Sequence, residues 1–178
     1  MALGQAAALA SMVCDLTLGK EKWEAGWAIA HDVHEMAAPM MNRAMELATE
    51  DSNAFDRVME GYAMPKNSDE EKDVRSKAIR TATLNAAEVP FETARLALGL
   101  LEALPQLARD GNANAVTDVG VAGLLASAAA KGALFNVDIN LAGLPDDMAA
   151  SLKTQSQIVG ERTRIASRAV MDLSLIHI

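Results

Sequence analysis

Aromatic residues are scarce in this chain of 178 residues. Two Trp, one Tyr and three Phe make up 3% of it, although 51% of the residues are hydrophobic. The apolar residues are therefore mostly Ala, Leu, Val, Met and Ile, of which Ala, Leu and Met are strong helix formers. Few stretches alternate apolar and polar residues as a half-buried strand does. The sequence predicts an all-α, up-and-down bundle of long helices that pack closely and form an oligomer.

Groups that bind nucleic acids or metals are also few. The formal net charge is −8, and a chain without a basic run or aromatic platforms does not match a nucleic-acid surface. The one cysteine, Cys14, cannot form an internal disulfide and is predicted to be a buried structural thiol. Three histidines are too few for the paired Glu-x-x-His motifs of a ferritin-like di-iron centre. We therefore expect no metal.

Targeting signals are not evident. The start of the chain has no basic segment followed by a hydrophobic run and a cleavage site. Residues 119–135 are apolar, but the run is short and Lys131 interrupts it, so we expect no membrane span. A cytoplasmic location is the expectation. Residues 172–178 do not continue the amphipathic pattern and are predicted to be a non-native tail, which leaves residues 1–171 as one helical domain.

Local signals divide the chain into helices. Ser68 and Glu71 have the spacing of a capping box. Pro90 lacks an N–H and clashes with the preceding turn, so a kink or a break is expected there. The predicted helices cover residues 2–18, 23–62, 68–87, a stretch that ends at 109, 115–141, and the chain from 145 onward.

The long helix over residues 23–62 contains the first candidate site. Steps of four and three residues give a stripe that should face other helices. A charge on a buried stripe costs several kcal/mol, roughly, unless it is paired or used. Asp51 is therefore either a general acid/base, the partner of an Arg or Lys on a neighbouring helix, or part of a stripe that turns outward. The stripe contains Trp23, Trp27, Ala30, His34, Ala37, Met41, Ala44, Ala48, Asp51, Phe55, Val58 and Tyr62.

A second candidate site lies on the helix over residues 115–141. Asp118, Asn136 and Asn140 share one face, which suits a polar pocket for a flat heterocycle or, alternatively, hydrogen bonds that fix helix register. Asp118 and Asn136 are about 27 Å apart on a straight helix, so they share a pocket only if a second copy packs antiparallel. Lys20 and Lys66 flank loops, where they would hold an anionic substrate tail or remain solvated surface lysines.

Several segments together resemble the cyclodeaminase/cyclohydrolase family, over about residues 2–170 and in matching order. This family contains bacterial methenyltetrahydrofolate cyclohydrolases and the C-terminal domain of formiminotransferase-cyclodeaminases. Its usual glycine-rich Pro-x-x-Gly-Gly-Gly-Ser segment before the first helix is missing here, which predicts a truncated N-terminus. The similar segments are residues 8–13 with 16–20, Glu50-Asp51 with Ala54-Phe55, Met64-Pro65-Lys66 with Glu70-Glu71-Lys72, residues 87–90, Gly111-Asn112 with Asp118, and residues 135–137 with 139–141.

The resemblance implies a helical homodimer that binds folate between helices. It implies that Asp51 is the catalytic acid/base, and that hydrolysis of 5,10-methenyltetrahydrofolate to 10-formyltetrahydrofolate needs no cofactor. The alternatives are a formiminotetrahydrofolate cyclodeaminase that releases ammonia and a non-catalytic helical oligomerisation module. The substrate-binding residues that it implies are Lys20, Lys66, Asn112, Asp118, Asn136 and Asn140.

Overall fold

The computed structural model describes residues 2–175, and the part that it describes contains helices and no strand. This confirms the all-α prediction. Two short 3-10 segments, Glu21–Gly26 and Ala113–Ala115, precede the second and fourth helices. The five α-helices are α1 (Ala2–Thr17), α2 (Trp27–Ala63), α3 (Asp69–Asp110), α4 (Val116–Leu141) and α5 (Asp146–Leu175).

The helices form a four-membered ring with a fifth helix packed across one side. Each of α1 to α4 packs against the next in sequence, α4 returns to α1, and α5 lies on α3 and α4. The core is built largely from alanine, with Leu100, Leu101 and Leu104 of α3 fully buried. Small side chains bring the helices close together: a Cβ on Gly123 of α4 would lie 2.6 Å from Cγ1 of Val170 on α5.

The hairpin of α2 and α3 extends beyond the ring because these helices are much longer than α1. With 16 residues, α1 is about 24 Å long. It begins beside Ala44 of α2, since a Cβ on Gly4 would lie 3.6 Å from the Ala44 Cβ. Past that level α2 packs on α3 alone, and Gly61 sits against Ile79. One side of α2 is left uncovered there.

The predicted stripe on α2 is therefore only half right. Ala30, Ala37 and Ala44 are buried as expected, but beyond Ala44 the core positions are Leu47, Ala54 and Gly61. The reason is that α1 begins beside Ala44 and no longer covers the side of α2 that was predicted to be buried. The predicted core positions that are exposed are Ala48, Asp51, Phe55 and Tyr62.

The expected break at Pro90 does not occur, because α3 runs continuously through it. Proline removes the N–H that would bind the carbonyl four residues earlier, here that of Ala86. The side-chain amide of Asn140 on α4 donates to this oxygen at 2.9 Å. A neighbouring helix thus replaces the missing hydrogen bond.

Other local predictions were close to the structure. Ser68 Oγ accepts from the backbone N–H of Glu71, as expected of a cap, but the Glu71 carboxylate accepts from the N–H of Asn67 rather than that of Ser68. The thiol of Cys14 is fully buried, and burial raises its pKa to about 12. The predicted start of the second helix at residue 23 is wrong, since α2 begins at Trp27.

The apolar helix at Ala113–Leu141 is long and hydrophobic enough, by length and composition alone, to cross a membrane. Half of its most apolar window is buried inside the bundle, where α4 packs on α1, α3 and α5. At the other end of the chain, α5 continues to Leu175, and Ser174 is buried beside Gly120. The proposed non-native origin of residues 172–178 stays a prediction, and 176–178 lie outside the described residues.

The start of α2 tests how tightly the ring is packed. A Cβ on Gly26 would overlap the backbone carbonyl of Asp110, whereas one on Gly99 would meet nothing within 4 Å. Gly26→Ala should therefore lower the free energy of unfolding by about 1–3 kcal/mol. The matched Gly99→Ala should raise it by roughly 0.5–1 kcal/mol, because alanine favours a helix interior. Urea denaturation measures both, and equal effects would contradict the close approach.

Candidate active site

One cavity, of about 360 Å³, opens where four helices meet at the level of Asp51. Its walls are the first turn of α1, the middle of α2, the turn of α3 around Pro90, and the second half of α4. Most of the lining residues are small, so a flat ligand has room to enter. They are Ala2, Leu3, Ala44, Leu47, Ala48, Asp51, Val89, Pro90, Thr93, Ala128, Ala129, Gly132, Ala133 and Asn136.

Three lining residues carry side-chain polar groups: Asp51, Thr93 and Asn136. Thr93 and Asn136 donate to carbonyls of their own helices at 3.4 and 3.2 Å, the first of which is long for a strong hydrogen bond. Of the described lining residues, Asp51 is the only one with an ionisable side chain. The cavity therefore offers one carboxylate among apolar walls, with a primary amide across from it on α4.

Asp51 is exposed in the single chain, which corrects the prediction that it is buried. Within residues 2–175 no cationic side chain lies within 4.0 Å of its carboxylate. The alternative of an ion pair with a neighbouring Arg or Lys is therefore wrong for the described chain. The stripe turns outward, as the third interpretation has it, and this places the carboxylate at the mouth of the cavity. The acid/base role of Asp51 stays a prediction.

An arginine that the sequence analysis did not single out joins α2 to α3 beside the cavity. Arg43 donates through Nε and Nη2 to the carboxylate of Glu92 at 2.8 and 2.9 Å, and also binds Glu50 and Glu46. These hydrogen bonds raise the pKa of Arg43 and lower the pKa of Glu92. In the sequence, the acidic residues at 46 and 50 on the same helix were the signal that could have pointed to Arg43 as the centre of an ion-pair network. Glu50 and Glu92 each precede a cavity-lining residue, so Arg43 ties both walls together.

Asn112 lies at the end of the bundle away from the cavity and is used structurally. Its amide donates to the carbonyl of Leu16 at 2.9 Å, and its side-chain oxygen accepts from the N–H of Asn114 at 2.9 Å. Its backbone N–H donates to Thr17 Oγ1 at 3.0 Å. Asn112 therefore joins the end of α1 to the start of α4. Lys20 is exposed in the loop that follows α1.

The predicted site residues fall into three groups in one chain. Asp51 and Asn136 line the cavity, and Asn140 lies one helical turn further along α4. Lys20, Asn112 and Asp118 are at the opposite end of the bundle, about 27 Å away by the rise of α4. Lys66 is exposed at the tip of the α2–α3 hairpin. A substrate-binding role for each of these residues stays a prediction.

Between residues 2 and 175 there is no group of three or more His, Cys, Asp or Glu side chains arranged to hold an ion. His31 and His34 each lie near one carboxylate, Glu35 at 3.8 Å and Asp15 at 3.5 Å. Both histidines are on the part of α2 that precedes the cavity.

Comparisons with known proteins agree on one family. The family model described as formiminotransferase-cyclodeaminase matches residues 1–158. A methenyltetrahydrofolate cyclohydrolase of Methylorubrum extorquens is 39% identical over 140 residues, which are 79% of this chain and 67% of the relative. A formimidoyltransferase-cyclodeaminase of Gallus gallus is 33% identical over 171 residues, 96% of this chain but 30% of the relative.

Solved structures give the same relationship. The crystal structure of a formiminotetrahydrofolate cyclodeaminase from Thermotoga maritima superposes with a TM-score of 0.83 at 26% sequence identity. The superposition covers 97% of this chain and 82% of that one. The chain thus shares nearly its whole fold with this protein, whereas it spans less than a third of the longer curated relatives.

The Arg43–Glu92 pair predicts how stability depends on acid. Because Arg43 lowers the pKa of Glu92 below its usual 4.5, the unfolded chain binds a proton more readily than the folded chain does. The ionised Glu92 beside Arg43 therefore stabilises the folded chain. This stabilisation is present above about pH 4.5 and is lost as the pH falls through the lowered pKa of Glu92. Urea denaturation between pH 6 and 3 should show a shallower acid dependence for Glu92→Gln than for the wild type.

Arg43→Met is the matched test of the cause. It should remove the same part of the acid dependence, and Glu92→Gln should change little in that background. If Glu92→Gln flattens the acid dependence equally with and without Arg43, the arginine is not the source of the lowered pKa.

Proposed function

Because the chain belongs to the formiminotransferase-cyclodeaminase family, we propose that it hydrolyses 5,10-methenyltetrahydrofolate to 10-formyltetrahydrofolate with Asp51 as the acid/base. The observation that carries this proposal is the single carboxylate in a small, apolar-walled cavity. The relative named methenyltetrahydrofolate cyclohydrolase, at 39% identity, supports this direction of the chemistry. The enzyme works in folate one-carbon metabolism, needs no metal or redox cofactor, and acts in the cytoplasm.

Asp51 has the chemistry that this hydrolysis needs. The substrate has an amidinium-like carbon between N5 and N10, and a nearby carboxylate stabilises that positive charge. As water attacks the carbon, Asp51 accepts one of its protons. Asp51 then returns this proton to N5 while the bond between N5 and the carbon breaks. The remaining hydroxyl loses its proton to solvent as the formyl C=O forms on N10, so one proton is released per turnover.

The cavity is suited to a flat polar ring beside that carboxylate. Its volume is within the common range for small-molecule sites, about 300–1,000 Å³. Alanine and glycine on α4 leave space for the ring, and the amide of Asn136 offers both a donor and an acceptor to a heterocycle edge. The exposure of Asp51 also fits, because the attacking water must reach it from solvent.

The cyclodeaminase reaction is the second candidate, favoured by the fold shared with the Thermotoga maritima protein. In that reaction, N10 of 5-formiminotetrahydrofolate attacks the formimino carbon and gives its proton to Asp51. Asp51 passes this proton to the formimino nitrogen, which takes a second proton from solvent and leaves as ammonia. The two substrates distinguish the candidates. Ammonia release from the formimino compound that is faster than loss of methenyl absorbance would favour the cyclodeaminase. A non-catalytic module would neither release ammonia from the formimino compound nor reduce the methenyl absorbance.

Asp51→Asn tests the acid/base role. The variant should lower kcat for methenyltetrahydrofolate by ~10²–10⁴, the usual contribution of a positioned acid/base. Its unfolding midpoint should stay close to that of the wild type, because the side chain is exposed. Loss of methenyl absorbance measures the rate. Asp56→Asn, an exposed aspartate on the same helix outside the cavity, is the matched control. Unchanged turnover in Asp51→Asn would remove this carboxylate from the mechanism.

A homodimer is part of the proposal. One face of α4 exposes apolar side chains along its length, and α1, which packs on α4, exposes Met12 and Leu16. Large exposed apolar surfaces usually mark interaction sites. A second copy packed antiparallel on this face would bring its Lys20, Asn112 and Asp118 toward the first copy's cavity and complete the substrate site. The exposed side chains on α4 are Val121, Leu124, Phe135 and Ile139.

Leu124→Glu tests this interface. A charge at this position should convert a dimer to a monomer and raise KM, because each cavity would lose the partner's polar groups. Ile158→Glu on α5 is the control, since the two side chains are 52% and 54% exposed in one chain. Sedimentation velocity and steady-state kinetics measure the two effects. A wild type that is monomeric at assay concentration would exclude the shared site.

A further inference from the structure

The backbone carbonyl of Ala86 loses its usual donor to a proline and receives another from a neighbouring helix. In an unbroken helix this oxygen would accept from the N–H of residue 90, but Pro90 has none. Ala86 is buried, at 8% exposure, and Pro90 lines the cavity. A buried carbonyl without a donor costs about 1–3 kcal/mol. The continuous course of α3 through Pro90 therefore depends on another donor.

The donor is the side-chain amide of Asn140 on α4, 2.9 Å from the oxygen. Among the side-chain hydrogen bonds of the described residues, this is the one that joins α3 to α4. The rest of the contact between these helices is apolar and rich in alanine and glycine. Small apolar side chains set how close two helices come but do not fix their register well, whereas a hydrogen bond has a required distance and direction.

Asn140 is also one helical turn from the cavity. Residues i and i+4 share a helix face, so Asn136 and Asn140 stand one above the other on α4. Asn136 lines the cavity opposite α2, and Pro90 and Val89 line it from α3. The hydrogen bond therefore fixes α4 against α3 within one turn of the groups that would hold a ligand.

We propose that Asn140 is a positioning residue that binds the carbonyl freed by Pro90 and so sets the place of Asn136 relative to Asp51. Its amide is committed to α3, so it acts through the position of α4 and does not contact the substrate. The consequence for turnover rests on the proposed hydrolysis. That this bond holds α4 against α3 is independent of the proposed hydrolysis.

A double-mutant cycle with Pro90 tests the bond. Pro90→Ala restores a backbone N–H, which competes with the Asn140 amide for the Ala86 carbonyl and so already weakens the bond that holds α4. Asn140→Ala should lower kcat/KM for methenyltetrahydrofolate by about tenfold in the wild-type background and by less than about twofold in the Pro90→Ala background. Asp138→Ala, an exposed residue of the same helix turn, is the control for changes on α4. An equal loss in both backgrounds, or no loss in either, would overturn the proposal.

A second cycle with Asn136 separates positioning from general stability. If Asn140 acts through Asn136, then Asn136→Ala/Asn140→Ala should be no more than about twofold slower than Asn136→Ala. A merely stabilising residue, or one that contacts substrate itself, would give additive losses, and additive losses would overturn the proposal.

An NMR measurement keeps the result independent of activity. The backbone amide resonances of Gly132, Ala133 and Asn136 should shift in Asn140→Ala and stay shifted in Pro90→Ala/Asn140→Ala, because a backbone N–H at residue 90 satisfies the Ala86 carbonyl within α3 without holding α4. A wild type that turns over neither folate would reject the proposed function alone, and the spectra would then decide the inference. Resonances that do not move in Asn140→Ala, or that return to their wild-type positions in Pro90→Ala/Asn140→Ala, would overturn it.

Discussion

The close contact of α4 with its three neighbours is the constraint on which the rest of the structure depends. Half of the buried positions of α4 are alanine or glycine, and at Gly123 the missing side chain is what lets Val170 of α5 approach. On another face of α4, the small residues Ala128, Ala129 and Gly132 form one wall of the cavity, so small side chains serve both the core and the candidate site.

Polar contacts fix helix positions that apolar packing alone does not determine. Arg43 ties α2 to α3 on one side of the cavity, and Asn140 ties α4 to α3 on another. Neither residue lines the cavity, yet both lie within a turn or two of residues that do. Asp51 itself has no cationic partner among the described residues and is open to solvent. In the proposed hydrolysis this openness is an advantage, because a tight ion pair would hold the carboxylate ionised and occupied.

Much of the fold was readable from local sequence signals, and the failures have definite causes. Ser68 caps α3 as expected, and Cys14 is buried. These features depend on neighbours in sequence or on a simple apolar run. The break expected at Pro90 did not occur because its lost hydrogen bond is replaced by Asn140, which is 54 residues from Ala86 in sequence. No local pattern around the proline contains that information.

The sequence by itself determined that the chain is helical, where most helices begin and end, and that Asp51 and Asn136 are unusual among their apolar neighbours. Helix propensity, capping and periodicity are short-range effects, so they can be read along the chain. Only the tertiary structure decided that Asp51 is exposed at a cavity mouth, that Asn136 shares this cavity, and that Asn112 and Asn140 are used in holding helices together. These outcomes depend on which helices cover which faces, and helix length and packing set that coverage across the whole molecule.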